Sequence, residues 1–301
     1  MSAPAPHTDA ATHWALTGLT LIAETATSHV YRARRGADHY VLKVLKPYGI
    51  DELTGIAFLE WLDGDGAVRI FERRDNMVLM EWLDGPELGA TVRAGDDMTA
   101  TRILADVARH LHTPRPRPPE GLTPLADWCA PLRDTPLTCW PEPHRPNIEM
   151  AKALAASLLA SSPPPIPLHG DLHHDNILKG SRGWCVIDAK GVLGDPAYEL
   201  ANAFQNPIGA LETARAPATI AARADTFAEI LGYDRQRLLD WAVAHCALSM
   251  AWSLATARPI DANLAILPNL LAAAGHLGAR AQPKTRRLRA GEGFLFRKSE
   301  K

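Results

Sequence analysis

Residues 168–178 read Leu-His-Gly-Asp-Leu-His-His-Asp-Asn-Ile-Leu, and residues 186–191 read Val-Ile-Asp-Ala-Lys-Gly. The first stretch sets Asn176 five residues after Asp171, and the second sets Asp188 at the end of a β-type run, Trp184–Ile187. A carboxylate and a carboxamide are hard oxygen donors of the kind that suits Mg²⁺. Asp188 and Asn176 therefore read as metal ligands. A further carboxylate can orient a hydroxyl and accept its proton, the part read for Asp171. Such a set fits phosphoryl transfer, in which negative charge spreads over phosphate oxygens and must be neutralised.

Working outward, protein kinases use the same order of residues: a base aspartate, an asparagine five residues on, and a second aspartate after a strand. The chain before Asp84-Gly85-Pro86 agrees with that. Five β-type runs follow one another at Ala15–Ile22, His29–Arg34, His39–Lys46, Ala67–Glu72 and Met77–Trp82, with turn residues at 35–38 and 73–76. One helix interrupts them, with Asp51 as its expected cap and Leu53, Ile56, Leu59 and Leu62 at helical spacing. After the divide the pattern turns helical. Helices are expected over Thr99–His112 and Ile148–Ala160, and three more between Ala216 and Ala274. The proline-rich stretch Thr113–Gly121 reads as a surface loop, and the basic residues after Leu277 as a mobile terminus. The predicted fold is α+β and bilobal. An N-terminal lobe (1–83) of five antiparallel strands and one helix would precede a larger, mainly helical lobe (84–301).

Composition narrows the function classes. A net charge of −2 supplies no field for nucleic acid or an anionic membrane, so neither is expected as a partner. The N-terminus has no basic n-region and no apolar h-region, and Ala242–Ala257 is too short to span a bilayer, so it reads as a buried helix. Cys129, Cys139, Cys185 and Cys246 lack paired spacing and read as free thiols in a cytoplasmic protein.

The string His-Gly-Asp-Leu-His-x-x-Asn, followed by Ile-Asp-x-x-Gly, resembles the aminoglycoside phosphotransferase family. The pair His173-His174, the Asp-Ala-Lys-Gly continuation and residues 194–202, Gly-Asp-Pro-Ala-Tyr-Glu-Leu-Ala-Asn, are similar to its streptomycin 6-kinase and hydroxyurea phosphotransferase branch. The resemblance implies a bilobal kinase-like fold that moves the γ-phosphate of ATP or GTP, with Mg²⁺, to a hydroxyl of a small molecule. It makes Asp171 the catalytic base and Asn176 and Asp188 the metal ligands. Lys43, in Val41-Leu42-Lys43-Val44, matches the lysine that contacts the nucleotide phosphates. Many family members have a glutamate where Gly55 stands, so Glu52, one helical turn earlier, is the expected partner of Lys43, with Glu60 as the alternative. Glu81, Trp82 and Leu83 match the hinge whose backbone would pair with the purine. The turn Thr25-Ala26-Thr27-Ser28-His29 departs from the pattern by having no glycine, and leaves Ser28 and nearby N–H groups to meet phosphate.

Other residues have structural readings as well. His169 is expected to brace its loop, and Asp195 before Pro196 to cap a helix. Glu199 and His173 are the candidate acceptor contacts. An aminoglycoside such as streptomycin is polycationic and needs an acidic wall, for which Glu199, Asp195, Asp225 and Asp240 are available. Hydroxyurea, being neutral, needs none. Two other classes compete: a metal-dependent hydrolase built on His169, Asp171, His173, His174 and Asp175, and a nucleotide-binding module without turnover.

Overall fold

The computed structural model describes residues 6–276. Its first element is a short helix, α1 (Pro6–His13), followed by strands β1 (Thr17–Glu24), β2 (Ser28–Arg35) and β3 (Asp38–Leu45). Helix α2 (Leu53–Leu62) comes next, then β4 (Ile70–Arg74) and β5 (Met77–Glu81). All five strands are antiparallel, in the order β1-β2-β3-β5-β4. The predicted five strands and single inserted helix are therefore present, with α1 as an addition. The N-cap of α2 falls at Glu52, one residue after the expected Asp51, and makes no side-chain cap bond.

Alternation along β3 explains how the sheet is used. Leu42 and Val44 point to one face, where they join Ala33, Met77, Leu79 and the Trp14 that follows α1. Lys43 points to the other face, towards the cleft. Trp14 also donates from its indole Nε1 to Glu72 at 2.8 Å, which holds α1 against the sheet. The sequence shows only an Ala/His/Thr-rich segment there, too short to display a helical stripe.

The fourth strand starts later than the Ala67–Glu72 reading, because residues 66–68 pair elsewhere. Val68 N–H donates to Val186 O and Val186 N–H donates to Gly66 O, both at 2.9 Å. Those bonds join the N-terminal lobe to the strand that precedes Asp188.

The second lobe opens with α3 (Gly89–Arg93) and α4 (Asp97–Leu111). Asp96 caps α4 by accepting from Thr99 N–H at 3.1 Å. Then come β6 (Thr123–Pro124), α5 (Leu125–Trp128), α6 (Ala130–Asp134) and α7 (Arg145–Ala160). The site-bearing segment follows: β7 (Ile166–Leu168), the hairpin β8 (Ile177–Gly180) and β9 (Gly183–Val186), and β10 (Val192–Gly194). Strand β10 lies antiparallel to β7 and parallel to β6. Helices α8 (Leu211–Arg215), α9 (Pro217–Leu231), α10 (Arg235–Ala255) and α11 (Asp261–Ala273) complete the lobe.

Helix α10 is the centre of this lobe. Leu238, Trp241, Ala242, Cys246, Leu248 and Met250 along it are all buried. At 21 residues it is long and apolar enough to cross a membrane, which the shorter Ala242–Ala257 reading missed, yet most of it is covered by the rest of the lobe. Removing that apolar surface from water supplies the lobe's main driving force, at about 25 cal/mol per Å². The basic residues from 278 onward lie outside the described residues.

Candidate active site

The segment between β7 and β8 carries Asp171 and Asn176. It turns at Gly170, whose φ of +80° suits glycine, and where a Cβ would fall 2.6 Å from Val192 Cγ2. Two features fix the turn. Glu199 is fully buried and accepts from His169 N–H at 2.8 Å and from Gly170 N–H at 3.0 Å. His169 accepts at Nδ1 from Asp171 N–H (3.2 Å), and its Nε2 lies 2.8 Å from Ile187 O. These contacts require the Nε2–H tautomer. Burial keeps the His169 imidazole below its usual pKa, so it is neutral.

Two carboxamides hold the Asp171 carboxylate. Asn202 Nδ2 donates to Oδ1 at 2.7 Å, and Asn176 Nδ2 donates to Oδ2 at 3.3 Å and to Asp171 O at 2.9 Å. Asn202 is held in turn by Asn206, whose Nδ2 donates to its backbone and side-chain oxygens at 3.0 and 2.9 Å. Arg223, fully buried, anchors this segment by donating to Ala203 O (2.6 Å) and Asn206 O (2.9 Å), and it pairs with Asp97 on α4.

Asp188 follows β9 with a φ of +58°, an uncommon value for a residue with a Cβ. Ile187 N–H donates to Asn176 O at 3.0 Å, which brings the two expected metal-ligand segments side by side. Lys43 Nζ lies 2.6 Å from Asp188 Oδ1 and 2.6 Å from Glu52 Oε2. Burial pulls the Lys43 pKa down, but the Asp188 and Glu52 carboxylates outweigh it and hold the ammonium above its ordinary value. Burial likewise pushes Asp188 up, yet Lys43 and Lys190 keep it well below the usual carboxylate range. Glu52 is thus the helix-side partner of Lys43, and Glu60 pairs with Arg73 instead. Glycine stands at position 55 because α2 lies directly on the loop after Asp188. A Cβ at Gly55 would fall 1.7 Å from Ala189 O.

These side chains border a cleft of about 450 Å³ between sheet and helical lobe. Its upper wall is apolar, with Ile22, Val30, Val41 and Met80, and its polar end holds Lys43, Asn176, Asp188 and Lys190. Glu81, Trp82 and Leu83 line the rim as expected. The Glu81 carboxylate accepts from Arg69 N–H and pairs with Arg182, and the Trp82 ring sits under Arg32 at 4.8 Å. The Glu81 and Trp82 side chains are thus engaged with arginines and with backbone instead of with one another. Ser28 is buried in the cleft lining with its hydroxyl 3.1 Å from Thr25 Oγ1, and Thr27 Oγ1 donates to Glu52. The donor set fits Mg²⁺: the Asp188 carboxylate and the Asn176 side-chain oxygen are hard ligands, and the Asn176 amide nitrogen is turned to Asp171.

Several expectations need correction. Glu199 does not face the cleft, because both of its oxygens serve the backbone of residues 169 and 170. Asp195 caps the turn after it through Ala197 N–H, as read, and is buried against Arg237 and Trp241. Asp225 pairs with Arg235, and Asp240 with His276. None of the four carboxylates considered for an acidic wall is uncommitted. His173 Nδ1 accepts from Asp175 N–H at 3.3 Å, a capping contact within the loop. The cluster required by the hydrolase reading does not converge: His169 points at Ile187 O, and His174 is buried with neither ring nitrogen hydrogen-bonded. Among the described residues no three His, Cys, Asp or Glu side chains gather as a metal site.

The same architecture recurs in solved small-molecule kinases. An aminoglycoside phosphotransferase APH(4)-Ia in ternary complex with AMP-PNP and hygromycin B superposes with a TM-score of 0.66 at 16% identity, covering 93% of this chain and all of that one. A choline kinase from Streptococcus pneumoniae gives 0.63 at 12% identity, with 90% and 97% covered. Fold and site together define a bilobal kinase of the small-molecule type. Residues 13–256 match the model of the aminoglycoside/hydroxyurea antibiotic resistance kinases, and the chain belongs to that family. It is 37% identical over 233 residues to a streptomycin 3''-kinase of Klebsiella pneumoniae, spanning 76% of this chain and 85% of that protein. It is 30% identical to a streptomycin 6-kinase of Streptomyces griseus, with 70% and 68% covered. A hydroxyurea phosphotransferase of Kitasatospora aureofaciens is also 30% identical, with 71% and 62% covered.

Proposed function

We infer that this kinase phosphorylates a hydroxyl of streptomycin, using ATP or GTP, and so confers resistance to it. Lys43, Asn176 and Asp188 gathered in one cleft, with Asp171 bonded to Asn176 beside them, carry the reaction class. The 37% identity to a streptomycin 3''-kinase supports the acceptor and favours its 3''-hydroxyl as the position modified.

The purine lies along the hinge at Glu81–Leu83, and Lys43 meets the phosphates. Asn176 and Asp188 would hold Mg²⁺, which would supply neutralisation of phosphate charge. Asp171, fixed by Asn176 and Asn202, orients the acceptor hydroxyl and takes its proton. Positioning and preorganised charge account for most of the rate. The cytoplasm, where nucleoside triphosphates are plentiful, is the compartment this reading calls for.

A second acceptor, hydroxyurea, is favoured by one observation. It is neutral, and the four carboxylates considered for a polycation-binding wall are all engaged elsewhere. The deciding experiment incubates the protein with Mg²⁺ and ATP or GTP against streptomycin, other aminoglycosides, hydroxyurea and simple alcohols, and follows product mass. Phosphorylated streptomycin, mapped to the 3''-position by NMR, is the expected result. Turnover of hydroxyurea alone would replace the acceptor assignment. Nucleotide binding without any product would favour the module without turnover.

A further inference from the structure

Lys190, in the Asp-Ala-Lys-Gly stretch, is not among the residues assigned a role above. It borders the nucleotide cleft, with its side chain 23% exposed and its Nζ 3.4 Å from Asp188 Oδ2. Lys43 holds the opposite oxygen, Oδ1, at 2.6 Å. The two ammonium groups thus flank Asp188, Lys43 from the sheet side and Lys190 from the side of the catalytic loop. Lys190 N–H donates to His169 O at 2.7 Å, and a Cβ built on Gly170 would lie 3.4 Å from Lys190 Cβ. The lysine therefore projects from backbone bonded to the loop that carries Asp171, into the cleft beside Asp188.

Lys43 and Lys190 are the two lysines among the described residues that line this cleft, which has no arginine in its lining. Lys43 is committed to two short contacts, whereas Lys190 has one long one and three donors on a flexible stem. In the phosphate-covering turn the Thr27 hydroxyl is already bonded to Glu52, and the neighbouring Lys46 is bonded to Glu24 and to Thr25 O. The cleft needs positive charge at its outer phosphate end, and Lys190 is the cation in its lining that is least committed.

We propose that Lys190 is a catalytic residue that contacts the γ-phosphate and stabilises the charge on the group in flight. This rests on the kinase reading of the cleft. As the acceptor oxygen bonds to the γ-phosphorus, the bond from phosphorus to the bridging oxygen breaks and its electron pair leaves with the nucleoside diphosphate. The hydroxyl proton passes to Asp171. Lys190 gives up no proton and holds the oxygens of the transferring group.

The test compares Lys190→Met and Lys190→Arg with the wild type by titration calorimetry, using ADP and the imido analogue of ATP with Mg²⁺, or the guanine pair if that binds more tightly. Lys190→Met is expected to weaken the triphosphate analogue about tenfold while ADP affinity is retained, and to lower kcat about 10²-fold, the loss typical of one preorganised donor. Lys190→Arg should recover much of the triphosphate affinity. Equal weakening of both nucleotides would make Lys190 a counter-ion of Asp188 and overturn the proposal while leaving the kinase reading intact. Unchanged binding of both, with unchanged kcat, would overturn it as well. A wild type that binds neither nucleotide would overturn the kinase reading and the proposal together.

Discussion

Replacing Glu199 by alanine removes the carboxylate that accepts from the buried N–H groups of His169 and Gly170. It also leaves His112, whose Nε2 lies 3.5 Å from Glu199 Oε2, without its acidic neighbour. Each orphaned buried donor costs about 1–3 kcal/mol, which puts the two backbone groups together near 4 kcal/mol. At about 2 °C per kcal/mol for a chain of this size, the melting temperature should fall by about 8 °C. Glu199→Gln keeps the shape but turns an amide NH₂ towards one of the two N–H groups, so about half of that loss is expected. The pH dependence separates charge from shape. Burial raises the Glu199 pKa, but His112 and the backbone N–H of His169 outweigh it and the folded value lies below the ordinary one. A lowered folded pKa means that the stabilisation is complete above the unfolded value, about 4.3, and fades as pH falls through the folded one. The gap between wild type and Glu199→Gln should therefore be full at neutral pH and narrow in strong acid. Thermal melts across pH, with hydrogen exchange at residues 169 and 170, make the measurement. Melting within about 1 °C of wild type, with protected amides at both positions, would refute the loop-anchoring role.

Three further outcomes follow from the site. Asp171→Asn should lower turnover about 10²–10⁴-fold while nucleotide affinity and folding are retained, as checked by steady-state kinetics beside calorimetry. Asn202→Ala removes one of the two carboxamides on Asp171 and should lower kcat about tenfold with little change in nucleotide KM. Arg223→Met leaves Asp97 without its buried partner and should cost about 3–5 kcal/mol in urea unfolding, with a loss of kcat because the Asn202–Asn206 segment is no longer anchored.

The readable part of this protein is local. Asp171 and Asn176 are five residues apart, so their shared loop shows in the sequence, and the turn-punctuated runs before Asp84 outline the sheet. Lys43 and Glu52 could be paired because the family resemblance implies a glutamate at position 55 and Glu52 stands one helical turn before it. What stayed hidden depends on distant segments meeting. Asn202 reaches Asp171 across 31 positions, and Arg223 meets Asp97 across 126. Glu199 was misread because its turn gives no periodic signal to separate a cleft-facing acid from one buried under the catalytic loop. Residues 67 and 68 read as the start of the fourth strand, yet this stretch pairs with Val186 in the other lobe.

The seating of α2 has a consequence for control. A side chain at Gly55 would strike Ala189 O, and one at Gly191 would come within 2.5 Å of Thr54 O. Helix and loop are keyed together from both sides, so Glu52 and Asp188 share one rigid support. Kinases that are switched by moving this helix need slack at that junction. Here α2 and the loop after Asp188 are seated too closely for one to shift without the other.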